Sequence, residues 1–399
     1  MIRPIHPFPA RMAPELAIAR LKTLAKKSVV LDPMAGSGTV LRQASQLGHR
    51  AVGFDTDPLS VLMSRVWTTP VIDETVDRIT KKVLMAANAM SDSAPDLPWI
   101  DRDDETSQFI DYWFADRQRA DLRRLVTAIE RQKEGLQRYP KKAAVDVLRL
   151  ALSRIIITKE HGASLARDVS HSRPHKVAKS STFNVIPAFE RAVKQIRKLL
   201  TESPPVGETT VSLGDARFLS SIGNGEVDAV LTSPPYLNAI DYMRGHRLSL
   251  VWLGYRLSDL RAIRSDAIGT ERGPDHPQTR ELFRDVQEAM GPIEKLSSRN
   301  ASIVARYAED IYRMISELAR VLKPGGKAVL VVGNSCLKGT FIRNSEGVVE
   351  AARMVGLKLR RRVERDLPAG SRYLPMPRGR SQPLGRRMRT ETILTFGAA

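Results

Sequence analysis

The chain has 399 residues, 42% of them hydrophobic, so it can bury a sizeable core and is not a disordered polymer. Lysine and arginine outnumber aspartate and glutamate by 63 to 44, a net charge of +19, which fits a polyanionic partner (DNA, RNA or anionic lipid) or else a solvated basic surface. The one cysteine, Cys336, excludes an internal disulfide and any multi-cysteine metal centre, and no apolar run nears the roughly 18 residues a membrane-spanning helix needs.

The opening Met1-Ile-Arg-Pro-Ile-His-Pro-Phe-Pro9 lacks the apolar centre of a secretion signal, so a cytoplasmic protein is expected. Residues 13–27 read as a helix with Leu16, Ala19, Leu21 and Leu24 close to one face. Ser28-Val-Val-Leu31, ending in Asp32-Pro33, reads as a buried strand. Gly36-Ser-Gly38 is a tight turn, Thr39 to Leu47 a helix stopped by Gly48, and Arg50 to Phe54 a second strand ending at Asp55. Strand, glycine turn, helix and strand make a βαβ unit, which implies a parallel sheet with a right-handed crossover.

From Pro70 to Pro205 strand signals thin out and charge rises. Helices are expected over 117–138, over 143–158 and over 183–200, with Val145, Leu148, Leu152, Ile155 and Ile156 as the apolar face of the second. The sheet pattern then returns. Strands are expected at 210–213, before Gly214-Asp215; at 227–231, before Thr232-Ser-Pro-Pro-Tyr236; at 327–332; and at 392–396. A helix over 306–322 closes at Lys323-Pro-Gly-Gly326, and another covers 346–355. Strands alternate with helices on both flanks, so the flanks make one α/β sheet interrupted by a mostly helical insertion. The expected division is 1–69, 70–205 and 206–399.

Three segments carry chemistry. Asp32-Pro-Met-Ala-Gly-Ser-Gly-Thr39 follows a strand of a parallel sheet, where ligands bind beyond the carboxyl ends. Gly36 and Gly38 let a ligand approach the backbone, although structural turns use glycine too. The segment lacks the Gly-Lys-Ser/Thr ending of a phosphate loop. Asp55, at the end of the next strand, is placed to accept hydrogen bonds from two ribose hydroxyls, with Asp57 as a competitor. Asp215 is placed to accept from an adenine amino group or to cap the chain before Arg217. Thr232-Ser-Pro-Pro-Tyr236 is the most specific signal. Two prolines after a buried strand continue neither helix nor sheet. They stiffen a loop that presents carbonyls, the Ser233 hydroxyl and the flat face of Tyr236, a set suited to an exocyclic amine on a heterocycle. Taken alone, the same loop also reads as a Pro-rich strand end.

Together these segments resemble the S-adenosylmethionine-dependent amino-methyltransferases of DNA, which act on cytosine N4 or adenine N6. The Ser-Pro-Pro-Tyr form is the more typical of the cytosine-N4 group. The resemblance implies a Rossmann-like methyltransferase sheet with helices on both faces. It implies a cofactor site at Asp32, Pro33, Ala35, Gly36, Ser37, Gly38 and Thr39, with Asp55 on the ribose and Asp215 on the adenine. His6-Pro-Phe-Pro-Ala-Arg11 resembles the segment that closes over the methionine end, through Phe8, Pro9 and Ala10. Ser233, Pro234, Pro235 and Tyr236 would be catalytic, acting on a flipped-out base. Double-stranded DNA is the implied partner, and a cognate restriction endonuclease or defence system follows from the family alone. The chain departs from the family in one respect. About 150 residues separate Asp55 from Asp215, far more than is usual, so the insertion is the candidate for target recognition.

Nucleic-acid contacts are expected from Arg167, His171, Arg173 and Lys176 in the insertion and from Arg244 and Arg247 after the catalytic loop. A solvated basic loop, and a helix burying Leu248, Val251 and Trp252 with Arg244 and Arg247 exposed, are the plainer readings. The stretch Arg360 to Arg389 reads as a basic loop suited to phosphates. No metal site is expected. An adenine-N6 or RNA methyltransferase, and a non-catalytic nucleic-acid-binding protein, are the rival functions.

Overall fold

The computed structural model describes residues 3–8, 12–90, 95–133, 139–158, 162–167, 174–237, 241–270, 273, 279–366 and 390–398. The strands are β1 Val29–Asp32, β2 Arg50–Asp55, β3 Ala166–Arg167, β4 His175–Lys176, β5 Thr209–Leu213, β6 Val227–Thr232, β7 Leu322–Gly333, β8 Ser335–Leu337, β9 Thr340–Ile342, β10 Lys358–Asp366 and β11 Thr390–Gly397. The helices before the insertion are α1 Pro14–Leu21, α2 Thr39–Gln46 and α3 Pro58–Thr68. Those within it are α4 Asp73–Ala89, α5 Pro98–Asp101, α6 Asp104–Trp113, α7 Asp116–Lys133, α8 Lys141–Ile156 and α9 Val185–Glu202. After it come α10 Met243–Leu250, α11 Leu257–Asp266, α12 Thr279–Leu282, α13 Arg284–Met290, α14 Ser298–Val321 and α15 Asn344–Met354.

Seven strands form one sheet in the order β10-β11-β7-β6-β1-β2-β5. All neighbours from β7 to β5 run parallel, and β11 is antiparallel to both β7 and β10. The central strands of the sheet are buried on both faces, and the period-two alternation of the strands decides which residue goes where. Val30, Ala51, Val211, Leu231, Val329, Val331 and Ile393 face α1 and α2. Leu31, Phe54, Val230, Leu330, Val332 and Leu394 face α14 and α15. This is the expected Rossmann-like α/β sheet with helices on both faces.

The insertion is helical as expected, apart from the two-residue pair β3–β4. Its helices share one apolar core with α3 and with Met243, Leu248, Val251 and Trp252 of the segment after β6. The insertion therefore packs directly on the elements that flank the two chemical motifs.

Three expectations need correction. The first helix stops at Leu21, and the chain turns through Lys27 at φ 62°. The strand expected from Lys327 begins at Leu322, with a register shift opposite Val227 to Ala229 and Gly325 at φ 75°. The basic stretch from Arg360 begins as strand, in β10, an edge strand with mostly exposed side chains and no apolar alternation to announce it. The remainder, 367–389, lies outside the described residues. Helices α3, α4, α6 and α11 carry no sequence expectation at all. No helix among the described residues is long and apolar enough to cross a membrane.

Candidate active site

β1 lies between β2 and β6, so the order of connection reverses at β1. At such a switch point a crevice opens beyond the carboxyl ends of the strands. The two chemical motifs leave the sheet there side by side. Asp32, ending β1, accepts a 2.7 Å hydrogen bond at Oδ1 from the Thr232 hydroxyl, which ends β6, and both residues are buried. Burial pushes the Asp32 carboxyl up from 3.8 to about 7, against the Thr232 and Met34 hydrogen bonds that favour its charge.

The glycine turn is fixed from three sides. The Gly36 N–H donates to Asp55 Oδ2 at 2.8 Å, Ser64 Oγ of α3 donates to the Gly36 carbonyl at 2.8 Å, and the Ala35 N–H donates to the Phe54 carbonyl at 2.8 Å. Gly36 has φ 52° and Gly38 φ 84°, both left-handed. A Cβ on Gly38 would lie 2.9 Å from the Ser64 Cα, so glycine there permits α2 and α3 to approach. Pro33, Ala35, Ser37 and Thr39 are all buried. The Thr39 hydroxyl, in the first turn of α2, is buried without a hydrogen-bond partner. An orphaned hydroxyl, the amide end of α2 and the Asp55 carboxylate together fit a polar, ribose-bearing cofactor.

Asp55 also accepts from the Asp57 N–H, at 2.9 Å. Burial and the neighbouring Asp57 charge push its carboxyl up to about 7. Asp57 itself begins α3. It caps the Leu59 N–H at 2.8 Å, with Pro58 in the first turn, and its other oxygen is hydrogen-bonded to Nδ1 of His246 on α10. Both partners are buried. Burial opposes both charges, and mutual attraction outweighs it. Asp57 is held below the usual carboxylate range and His246 above 6.5.

Phe8 lies over the turn. Its ring edge comes within 3.2 Å of where a Cβ on Gly36 would stand. It stacks on Tyr242 at 5.1 Å and lies 5.8 Å from the His246 ring. The insertion helix α8 positions it: Ser153 Oγ is hydrogen-bonded to His6 Nε2 at 2.9 Å, and Arg154 donates to the Ile5 carbonyl. Pro9 and Ala10 lie outside the described residues.

The Ser-Pro-Pro-Tyr loop is braced residue by residue. Ser233 Oγ donates to the Val331 carbonyl at 3.0 Å, which leaves its lone pairs as acceptors. Pro234 is buried. The Pro235 carbonyl accepts from the buried Tyr307 hydroxyl of α14 at 3.0 Å. The Tyr236 hydroxyl reaches Glu391 of β11 at 3.4 Å, and Ser335 Oγ donates to the Leu237 carbonyl at 2.6 Å.

Asp215 is committed to Arg217. It accepts from the Arg217 N–H at 2.8 Å and from the guanidinium at 3.0 and 2.6 Å. Arg217, almost wholly buried, also bonds Asp310 at 2.6 Å and Asp266 at 3.0 Å, and Arg306 bonds both of those acids. The local cap is the reading these bonds describe, in a turn rather than at a helix start.

Of the expected nucleic-acid contacts, Arg167 and Lys176 are exposed on the β3–β4 pair, with Lys176 Nζ 4.3 Å from the centre of the Tyr112 ring. His171 and Arg173 lie outside the described residues. Arg244 is exposed and paired with Asp241 at 3.0 Å. Arg247 is half-buried over Phe109 at 5.1 Å, so the expectation that it stands out in solvent is corrected. Leu248, Val251 and Trp252 are buried, as the helix reading requires. Sequence reasoning missed His246, Thr232 and Tyr307 as supports of the site. Only Asp57-Pro58 carried a signal, as a cap followed by proline.

No protein-family model matches the chain. It is similar to the type II methyltransferase M.BsoBI of Geobacillus stearothermophilus, 23% identical over 367 residues, covering 80% of this chain and 71% of the relative. M.MvaI of Kocuria varians is 24% identical over 374 residues, 84% of this chain and 77% of the relative. M.MjaII of Methanocaldococcus jannaschii is 20% identical over 396 residues, 78% of this chain and 73% of the relative. Both carry the same type II methyltransferase name. These relatives bear out the resemblance to S-adenosylmethionine-dependent DNA methyltransferases, and their names carry neither the amino-methyltransferase class nor the Ser-Pro-Pro-Tyr type.

Proposed function

We propose that the chain is an S-adenosylmethionine-dependent, site-specific DNA methyltransferase that methylates the exocyclic N4 of cytosine. The observation that carries this reading is the junction of β1 and β6. There Asp32 and Thr232 bond across the strand ends and set the glycine turn beside Ser-Pro-Pro-Tyr. The type II methyltransferase names of the relatives support it. The cofactor would rest on the turn from Asp32 to Thr39, under Phe8 and the segment through Pro9 and Ala10, with Asp55 on the ribose and Asp215, already bonded to Arg217, turning a remaining lone pair toward the adenine. When bound it supplies an electrophilic methyl group on a sulfonium.

The protein's own part is positioning. The target base leaves the duplex at a cost of a few kcal/mol, which stacking on Tyr236 offsets by about 1–3 kcal/mol. The amine donates to Ser233 Oγ and to the Pro234 carbonyl, which turns its lone pair out of conjugation with the ring. No covalent enzyme intermediate is needed. Cys336 sits in β8, outside any Pro-Cys motif. Arg167, His171, Arg173, Lys176, Arg244 and Arg247 are the proposed DNA-facing set, with the insertion 70–205 as the recognition region between the methyltransferase parts 1–69 and 206–399. A cognate restriction endonuclease is the proposed functional partner.

The test is nucleoside mass spectrometry of DNA from cells expressing the wild type and Tyr236→Ala. N4-methylcytosine with the wild type alone is expected. N6-methyladenine instead would change the base and keep the site. No methylated base in DNA or RNA would overturn the enzymatic reading.

A further inference from the structure

The helix that follows the catalytic loop is bonded to the cofactor side of the crevice, and neither motif explains the bond. His246, on α10 ten residues after Tyr236, is hydrogen-bonded through Nδ1 to Asp57. Asp57 caps α3 through its Leu59 bond and gives its own N–H to Asp55, which holds the Gly36 N–H. A continuous line of bonds thus runs from α10 through Asp57 and Asp55 to the glycine turn. Phe8 and Tyr242 stack beside it, Phe8 over Gly36. The pair is buried, so water does not compete for the bond.

We propose that His246 and Asp57 form a clamp that sets the catalytic loop against the cofactor turn, which makes His246 a positioning residue for methyl transfer. The inference rests on the methyltransferase reading above. Methyl transfer between two separately held molecules demands close alignment, and a misplacement of about 1 Å can slow such a step about a hundredfold. The clamp holds the two sides of the crevice in register through side chains that touch neither the base nor the methyl donor. Loss of His246 leaves the Asp57 cap and the Asp55–Gly36 bond in place. Turnover should therefore suffer more than cofactor affinity.

Four proteins are compared on duplex DNA with labelled S-adenosylmethionine: wild type, His246→Asn, His246→Phe, and the double variant His246→Phe with Asp57→Asn. Asparagine places an amide donor near the Nδ1 position. Phenylalanine keeps the ring against Phe8 and removes the donor. The double variant leaves no unpaired buried charge and keeps an acceptor for Leu59, so it tests the clamp even if His246→Phe folds poorly. The expected result is kcat down about a hundredfold in both phenylalanine variants, recovery in His246→Asn to within about tenfold of wild type, and cofactor Kd within about threefold throughout. A double variant with wild-type kcat, or an asparagine variant as slow as the phenylalanine ones, overturns the clamp. A wild type that transfers no methyl group to any nucleic acid overturns the underlying reading instead.

Discussion

The two carboxylates at the strand ends make the site sensitive to pH in a direction opposite to that of most acids. Asp55 is pushed from 3.8 to about 7 by burial and the Asp57 charge. Between these values the folded chain holds a proton that the unfolded chain has released. The folded state then binds more protons than the unfolded, so stability from this group falls as pH climbs from about 4 to about 7. Cofactor binding should run the other way, because the ribose hydroxyls proposed for Asp55 would donate to the charged carboxylate. Affinity for S-adenosylmethionine should weaken as pH drops below about 7, by at most about tenfold per pH unit. Asp55→Asn should bind weakly and lose that dependence. Calorimetric titration between pH 6 and pH 8 checks both, and an unchanged slope in Asp55→Asn would remove Asp55 from the ribose.

At the scale of elements, the long helix α14 acts as a strut. Its buried Tyr307 spends its hydroxyl on the Pro235 carbonyl, and its Asp310 takes Arg217, which takes Asp215. Tyr307→Phe keeps the ring in the core and removes one bond to the Ser-Pro-Pro-Tyr loop. The expected loss of stability is about 1 kcal/mol, read from urea unfolding. Turnover should fall while cofactor affinity holds. Equal loss of both would mean that α14 supports the whole crevice rather than the loop. This bracing was invisible in the sequence for a definite reason. Periodicity announces that α14 has an apolar face, and Tyr307 falls on it, but no local pattern says that its hydroxyl meets a carbonyl 72 residues earlier in the chain. The same limit hid the bond between His246 and Asp57, which lie 189 residues apart. The strand ends were legible because their chemistry is local: Asp32 before a glycine turn, Ser-Pro-Pro-Tyr after a β-branched run. Edge strand β10 was not, since an exposed basic strand has no alternation to read.

At the scale of the whole molecule, the surplus charge decides how the chain would hold DNA. A net +19 attracts a duplex at long range, and each neutralised phosphate releases counterions. Association with duplex DNA should therefore weaken steeply with salt, with a log–log slope near −0.9 for each phosphate bound. S-adenosylmethionine binding should barely respond over the same range. The sequence concentrates arginine between β10 and β11, ending in Arg386-Arg387-Met-Arg389 immediately before the sheet resumes at Thr390. Since β11 carries Glu391, which meets the Tyr236 hydroxyl, these arginines lie within a few residues, along the chain, of the residue that supports the Ser-Pro-Pro-Tyr loop. Replacing Arg386, Arg387 and Arg389 together with Gln should make the slope shallower by about 1 for each phosphate no longer neutralised. Sequence preference should stay unchanged, because phosphates carry no base identity. Fluorescence anisotropy of labelled duplex over a salt series measures the slope. An unchanged slope would assign the phosphate grip to the insertion, where Arg167 and Lys176 stand exposed on β3 and β4.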